Sequence, residues 1–287
     1  MIDPLIVHNN AILPVEDVRL SPAQAGLLLG WGVFTTLRLY SGVPFEFGRH
    51  WQRMARDAKR LNIPLDVEMA TGLRLMTDLA RANQRSEGMA RLSLVRNTGG
   101  AWGMPASRPA VDLLIFTQQL VSWPESYRLQ LQPHAVFSAG ALAGAKMLSW
   151  AANSAIFERA RAEGYDDALL LNERGQLAEC TSANVFLVID GKALTPPLSS
   201  GCLPGVTREI LLKIGPESGI QIAEEELDAT ALDRAQEVFI SSTTREVGGV
   251  REIAGRWTYS TAGEVTRVLK EVFRRYVDST AGRGAGN

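Results

Sequence analysis

The strongest constraint on the fold is the stretch 144–186, where a lysine, a helix and three short strands follow one another closely. Lys146 stands among small and apolar residues. A helical pattern follows it, with apolar residues on one side and charged residues largely opposite, and Gly164 provides a helix stop. Two strands joined by a turn come next, and the second of them carries Glu179. Because the strand at 185–189 follows at once, this stretch predicts a mixed α/β structure.

Lys146 and Glu179 are two ionisable groups in apolar company. A buried lysine loses its charge and becomes a nucleophilic amine, which is able to form a Schiff base with a carbonyl. A carboxylate kept in a sheet needs a cationic or N–H partner, and the protonated ring nitrogen of pyridoxal phosphate is such a partner. The spacing alone also fits a surface lysine and an exposed glutamate on a hairpin, which is the usual place for a lone Lys or Glu. The residues by themselves leave both interpretations open.

The first part of the chain alternates strands with helices. The patterns predict a hairpin, two amphipathic helices and two further strands, at residues 33–47, 49–62, 66–83, 90–96 and 111–117. The last of these is nearly all apolar, which is typical of a strand buried on both faces. We predict an N-terminal α/β domain at 1–117, a linker at 118–125 and a C-terminal lysine-bearing domain at 126–287, with a disordered tail at 279–287.

Two places in the second part of the chain suit an anion. Gly205-Val206-Thr207 opens a helix, where backbone N–H groups lack partners and the helix dipole favours negative charge. The strand at 237–242 ends in Thr243-Thr244, and hydroxyls and turn N–H groups at such an end hold oxyanions. An ordinary helix start and an ordinary strand end are the structural alternatives. The remaining predictions are a long strand at 127–137, a loop 138–145, a short helix at 225–234 and a final helix at 262–276.

The order of these motifs resembles that of the fold-type IV pyridoxal phosphate enzymes. This family includes branched-chain aminotransferases, D-amino acid aminotransferases and 4-amino-4-deoxychorismate lyases. The matching features are Lys146, Gly164, Glu179, the run Asn184-Val185-Phe186 and LPGVTRE at 203–209. The resemblance extends from Leu20 to about Val250.

The resemblance implies a role for each candidate residue. Lys146 is expected to bind pyridoxal 5′-phosphate covalently and to move protons, and Glu179 is expected to keep the ring nitrogen protonated. The pattern His50-x-x-Arg53 corresponds to the family's phosphate-binding arginine, which suits a dianion because its planar fork donates paired hydrogen bonds. Val206, Thr207 and Thr243 are expected to bind the phosphate as well, and Thr244 the substrate carboxylate.

Other positions point to different members of the family. Phe34-Thr35-Thr36 is similar to the lyases, whereas residues 203–208 are similar to the branched-chain enzymes and residues 241–244 to aminotransferases. Trp31 replaces an acidic residue usual in the family, and Trp102 stands where lyases and D-amino acid enzymes often have basic residues. The two tryptophans either line a substrate pocket or belong to the core.

The leading hypothesis is an aminotransferase that exchanges an amino group between an amino acid and a 2-keto acid by a ping-pong mechanism. The alternatives are a lyase that releases pyruvate from 4-amino-4-deoxychorismate, and a non-catalytic protein that binds pyridoxal phosphate or another ligand. The fold implied is an N-terminal α/β sandwich and a C-terminal pseudo-barrel with the cofactor in the cleft, usually assembled as a homodimer.

Composition excludes several other classes of function. The chain has 287 residues, enough for two domains, and a net charge of −1, which indicates neither a nucleic acid nor an anionic membrane as partner. No apolar run approaches the roughly 20 residues of a membrane span, and the N-terminus lacks the basic start of a secretory signal. Two cysteines, Cys180 and Cys202, exclude a disulfide scaffold and favour a cytoplasmic setting. The scattered histidines provide no metal-ligand spacing, so no metal site is predicted.

Overall fold

The computed structural model describes residues 1–99, 109–261 and 263–281. By its contacts the chain divides into two compact units. The first unit comprises Met1–Val121, Ala145–Trp150 and the described residues from Ser279 onward, and the second comprises Ser122–Gly144 and Ala151–Asp278. A single cut at the expected linker 118–125 would group Lys146 with the second unit, whereas its contacts group it with the first.

The first unit is a six-stranded antiparallel sheet with helices packed on it. Its elements are β1 (Ile2–His8), β2 (Ala11–Pro14), α1 (Ala25–Leu29), β3 (Gly32–Tyr40), β4 (Val43–Pro44), α2 (Phe47–Arg60), α3 (Met69–Ala82), β5 (Gly88–Arg96) and β6 (Val111–Gln118). The strand order is β2-β1-β6-β5-β3-β4. The apolar stripes of α2 and α3 close the core, where Met54 and Met76 meet buried sheet residues such as Leu92 and Ile115.

The second unit is built on a larger mixed sheet. Its elements are β7 (Ser126–Val136), α4 (Ala151–Ala162), β8 (Asp167–Asn172), β9 (Leu177–Cys180), β10 (Asn184–Ile189), β11 (Lys192–Thr195), α5 (Val206–Glu217), β12 (Ile222–Glu224), α6 (Ala231–Arg234), β13 (Glu237–Ser242), β14 (Glu246–Ile253), β15 (Trp257–Thr258) and α7 (Glu264–Ala281). The strand order is β12-β11-β10-β13-β14-β7-β8-β9, and β15 pairs with β14. Phe186 and Phe239 stack at the centre with ring centroids 4.6 Å apart.

Several elements differ from the sequence predictions. The helix expected at 225–234 is only the four-residue α6. Residues 279–281, expected to be disordered, continue α7, while 282–287 lie outside the described residues. The apolar run at 111–117 was expected to be buried on both faces, but β6 belongs to an antiparallel sheet and its burial alternates.

Within the described part of the chain, no helix is long and apolar enough to cross a membrane. Nor do three or more His, Cys, Asp or Glu side chains of the described residues converge in a group that could hold a metal ion.

Candidate active site

The helix α2 presents a buried polar face in the first unit. His50, Arg53 and Asp57 follow one another at spacings of three and four, which places them on one side of the helix. All three side chains are buried, and Arg53 is only 8% exposed. The apolar side chains Trp51 and Met54 of the same helix pack into the core. Arg53 is therefore not a solvated surface arginine.

Thr35 on β3 connects the first two of these residues. Arg53 Nη2 donates a hydrogen bond to Thr35 Oγ1 at 3.0 Å, and this hydroxyl lies 2.8 Å from His50 Nδ1. Burial, followed by the nearby charges of Arg53 and Lys146, lowers the pKa of His50 well below its usual value. Arg53 Nη2 also lies 3.4 Å from His50 Nδ1, and because a guanidinium only donates, Nδ1 is the acceptor nitrogen of the neutral ring. The Thr35 hydroxyl therefore donates to His50 while it accepts from Arg53.

Lys146 is carried by a short extended segment that adds to the sheet beside β3. Phe34 N donates to Lys146 O at 3.0 Å, Leu148 N donates to Gly32 O at 2.9 Å, and Val33 and Met147 form an antiparallel bridge. A Cβ at Gly32 would lie 2.5 Å from the backbone oxygen of Leu94 on β5 and 2.2 Å from Leu148 Cδ1, so this position requires glycine.

The Lys146 amine contacts two aromatic rings. Its Nζ lies 4.5 Å from the ring centroid of Phe34 and 4.6 Å from that of Trp150. The two rings meet edge to face, with centroids 5.7 Å apart. Trp150 was predicted to lie on the apolar side of the following helix, but α4 begins one residue later. Lys146 is half-buried, whereas the other lysines, Lys59, Lys192, Lys213 and Lys270, are exposed.

Arg91 is a residue near this amine that sequence reasoning missed. It lies on β5, diagonally across from Phe34 on β3, and its guanidinium carbon is 3.6 Å from the Phe34 ring centroid. Burial lowers its pKa to about 10, so the side chain remains a cation at neutral pH. The sequence offers one signal for Arg91, which is a charged residue inside a largely apolar strand. Spacing alone does not show whether such an arginine is buried or lies at the edge of the sheet.

In the second unit, Glu179 holds the loop that leads into α5. Glu179 lies on β9 opposite Leu170, and its Oε2 accepts a hydrogen bond from Leu203 N at 3.0 Å. Asn184 at the start of β10 donates from Nδ2 to Leu203 O at 2.8 Å. Side chains of two strands therefore fix both backbone groups of Leu203.

The start of α5 has the properties of an anion site. Gly205 is the N-cap and provides no side-chain hydrogen bond, and Val206 and Thr207 are buried. The first internal helical bond is donated by Glu209 N to Gly205 O at 2.9 Å, so the N–H groups before it need acceptors from elsewhere. A Cβ at Gly205 would lie 2.0 Å from Asn184 Oδ1, so only glycine fits here.

The turn between β13 and β14 contains the two predicted threonines, Thr243 and Thr244, both half-buried. It begins beyond Ser241, which pairs with Asn184 of β10 and therefore lies close to the strand end that faces Gly205. Among the described residues, the buried Ser241 hydroxyl has no hydrogen-bond partner. Sequence reasoning did not single out this serine.

A buried ion pair anchors that turn. Arg245 Nη2 lies 2.9 Å from Asp167 Oδ2, with the two side chains 1% and 0% exposed. Asp167 also accepts hydrogen bonds from Thr181 and Ser182, which follow β9. The pair thus connects the turn of Thr243 and Thr244 with the segment that follows Glu179.

Of the two tryptophans singled out in the sequence, Trp31 and Trp102, only Trp31 lies among the described residues. Trp31 Nε1 donates to Leu61 O at 2.9 Å, and the guanidinium of Arg96 covers its ring at 4.0 Å. Trp31 packs against the core of the first unit, which favours the structural interpretation of this residue. Trp102 lies outside the described residues.

Comparison with known proteins places this geometry in a family. A model of the family described as amino-transferase class IV matches residues 32–253. The chain belongs to the class IV aminotransferase family. The resemblance predicted from the motifs is therefore confirmed.

The relatives of this class IV chain are named for different activities. A putative branched-chain-amino-acid aminotransferase of Methanocaldococcus jannaschii is 30% identical over 277 residues, covering 94% of this chain and 95% of the relative. An aminodeoxychorismate lyase of Bacillus subtilis is 29% identical over 285 residues, covering 95% and 94%. A branched-chain amino acid aminotransferase from T.th., solved with pyridoxamine 5′-phosphate, superposes with a TM-score of 0.88 at 25% identity, covering 97% and 95%. This similarity confirms the predicted mixed α/β fold class.

Proposed function

We propose that the protein is a pyridoxal 5′-phosphate-dependent aminotransferase that exchanges an amino group between an amino acid and a 2-keto acid. The observation that supports it most directly is the placement of Lys146. Its backbone is hydrogen-bonded to β3, and its amine lies between two aromatic rings, near buried Arg53 and His50. Family membership supplies the reaction class, and this lysine supplies the reactive amine.

The donor set of the chain fits pyridoxal 5′-phosphate. The group needs an amine for its aldehyde, an acid for its ring nitrogen, and cations or N–H donors for its phosphate. Lys146 supplies the amine, Glu179 the carboxylate, and Arg53 the guanidinium. The uncapped start of α5 at Val206 supplies buried N–H groups that need an acceptor. When bound, the cofactor supplies an electron sink for negative charge at the substrate Cα.

The residues of the chain then divide the work. Lys146 would hold the cofactor through its amine and, once freed, would move a proton at the substrate Cα as general base and acid. Glu179, which accepts a hydrogen bond from Leu203 N, would supply the carboxylate for the ring nitrogen. Arg53, Val206, Thr207 and Thr243 bind the phosphate.

The substrate carboxylate needs a cation or N–H donors of its own. The resemblance assigns it to Thr244. Within the first unit, Arg91 is a further cation for a carboxylate, because it keeps its charge at neutral pH and lies against Phe34, the ring that the Lys146 amine also contacts. An exposed arginine would be screened by water, whereas a half-buried one forms a stronger charge-assisted hydrogen bond with a carboxylate.

Branched-chain amino acids are the first substrates to test, because the relative from Methanocaldococcus jannaschii carries that name. A lyase acting on 4-amino-4-deoxychorismate is the second candidate, because a relative of nearly equal identity carries that name. The presence of Lys146, Arg53 and Glu179 argues against a non-catalytic binding protein. A homodimer and a cytoplasmic location stay predictions.

A half-reaction separates the two activities. The cofactor-loaded protein is mixed with single L- or D-amino acids without keto acid, and the spectrum of the cofactor is followed. An aminotransferase converts the cofactor from its aldehyde to its amine form with at least one of them, and a 2-keto acid then reverses the change. Pyruvate release from 4-amino-4-deoxychorismate without any such conversion would contradict the proposal and indicate the lyase.

A further inference from the structure

Asp57 is a buried carboxylate of α2 whose two oxygens have different partners. Oδ1 accepts from Arg56 Nε at 3.1 Å and Nη2 at 2.8 Å, and Arg60 Nη1 lies 3.9 Å from it. Oδ2 accepts from the backbone N of Lys146 at 3.1 Å. The Asp57 side chain is 0% exposed, while that of Arg56 is 44% exposed. The oxygen that faces inward is therefore the one that contacts Lys146.

This contact completes the backbone hydrogen bonding of Lys146. Its carbonyl oxygen accepts from Phe34 N at 3.0 Å, and the next residue, Met147, bridges to Val33. The Lys146 N–H is the remaining backbone group, and Asp57 is its partner. Because the backbone N–H and C=O of Lys146 are both hydrogen-bonded, the direction of its Cα–Cβ bond is fixed. The side chain extends from this backbone toward Phe34 and Trp150.

The same face of α2 carries Arg53, four residues before Asp57. A rise of about 1.5 Å per residue separates them by about 6 Å along the helix axis. One rigid helix therefore holds both the guanidinium assigned to the cofactor phosphate and the carboxylate that fixes the lysine backbone.

We infer that Asp57 is a positioning residue for Lys146, which it holds through the lysine's backbone N–H in register with Arg53. The inference rests on the proposed function of Lys146. Catalytic groups must be held close to their productive geometry by residues whose own positions are locked, and small displacements are costly. The carboxylate offers two acceptor oxygens, one for Arg56 and one for the Lys146 N–H. The amide of an Asn at this position would turn its NH₂ toward either Arg56 or the Lys146 N–H, leaving two donors facing each other.

The test compares Asp57→Asn with Arg56→Gln in the cofactor-loaded protein. Arg56→Gln is the matched control, because it removes the partner of Oδ1 and leaves the contact of Oδ2 with Lys146. Three quantities are measured: the hydrogen exchange rate of the Lys146 amide, the maximal rate constant of the half-reaction, and the substrate concentration that gives half of that maximal rate. Exchange reports the backbone bond independently of activity.

Asp57→Asn is expected to speed exchange of the Lys146 amide and to lower the maximal rate about tenfold, with the half-saturating concentration nearly unchanged. Arg56→Gln is expected to leave the exchange rate of the Lys146 amide and the maximal rate within about twofold of the wild-type values. Folded Asp57→Asn and Asp57→Ser proteins that both keep wild-type exchange and rate would overturn the inference. A merely structural role would instead lower the thermal midpoint and raise exchange along all of α2 without a selective effect on the rate constant.

If Asp57→Asn does not fold, Asp57→Ser provides the same comparison, because its neutral, shorter side chain leaves a hydroxyl for Arg56 but weakens the contact with Lys146. Wild-type protein that never attaches the cofactor at Lys146 would contradict the proposed function. Wild-type protein that attaches it, with variants of unchanged exchange and rate, would contradict this inference alone.

Discussion

At the scale of single residues, Arg53 is the side chain on which we expect cofactor affinity to depend most. It is buried and oriented by the Thr35 hydroxyl, so its planar fork is preorganised for a phosphate. Arg53→Lys retains a charge but loses the paired donors, and we expect the dissociation constant for pyridoxal 5′-phosphate to rise about tenfold, or about 1.4 kcal/mol. Titration followed by absorbance measures this constant. Arg56→Lys, at a half-exposed position of the same helix, is the control and should bind as the wild type.

His50 gives a pH prediction. Its pKa in the folded protein is lowered by burial, whereas in the unfolded chain it has its ordinary value of 6.5. Below that value the unfolded state binds the additional proton, so His50 makes the free energy of unfolding fall as the pH decreases from 6.5. The slope from one such group is at most about 1.4 kcal/mol per pH unit.

Urea unfolding at about pH 5 and about pH 7, on either side of the ordinary histidine pKa, measures this effect. His50→Gln, which keeps an acceptor for the Thr35 hydroxyl without a titrating ring, is expected to lose less stability between the two pH values than the wild type. Equal losses in the two proteins would show that His50 is not buried in the neutral form.

Sequence motifs identify some of the candidate site residues. Others could not be predicted, because their contacts join distant parts of the chain. Lys146, Arg53 and Glu179 were predicted from the family resemblance, because each lies in a short run of residues that matches a family motif. Asp57 and Arg91 were not, because their importance depends on partners far along the chain. A pattern in α2 indicates only that Asp57 lies off the apolar stripe, and its contact with Lys146 spans 89 residues.

At the scale of secondary structure elements, the buried pair Asp167–Arg245 holds the β13–β14 turn to the segment after β9. Removing one member of a buried pair leaves an uncompensated charge, which costs about 3–5 kcal/mol. Arg245→Met is therefore expected to lower the free energy of unfolding by that amount. Arg256→Met, at an exposed pair with Asp233, should cost less than about 1 kcal/mol.

The double replacement Asp167→Asn with Arg245→Met should be less destabilising than the sum of the two single changes, because it removes both charges. Urea unfolding of the wild type, the two single variants and the double variant measures the coupling. Additive losses would mean that the two side chains act independently and that the pair does not anchor the turn.

Element prediction succeeded where periodicity was long and failed where it was short. The helices α2 and α3 and the strand β13 lie close to their predicted ranges, because their apolar stripes or runs extend over several residues. The helix α1 has only five residues, and its three leucines are exposed. It therefore has no apolar stripe that would predict a helix. The burial of β6 was misjudged because an apolar run does not reveal whether its sheet is parallel.

At the scale of the whole molecule, the grouping of residues 145–150 with the first unit has a physical reason. The bonds of this segment to β3 and to Asp57 join residues far apart in the chain, and no composition shift in the sequence marks them. A prediction from sequence order places domain boundaries at linkers. The chain instead leaves the first unit at Val121 and returns to it at Ala145–Trp150, the segment that carries the lysine.

The assignment on which the proposed function depends is that Lys146 is the lysine that binds the cofactor. The most direct measurement is borohydride reduction of the pyridoxal 5′-phosphate-loaded protein, followed by proteolysis and mass spectrometry of every lysine-containing peptide. We predict the reduced cofactor on Lys146 alone, with none on the exposed Lys59, Lys192, Lys213 or Lys270, and no stable attachment in Lys146→Ala. Attachment at another lysine, or undiminished attachment in Lys146→Ala, would contradict this assignment.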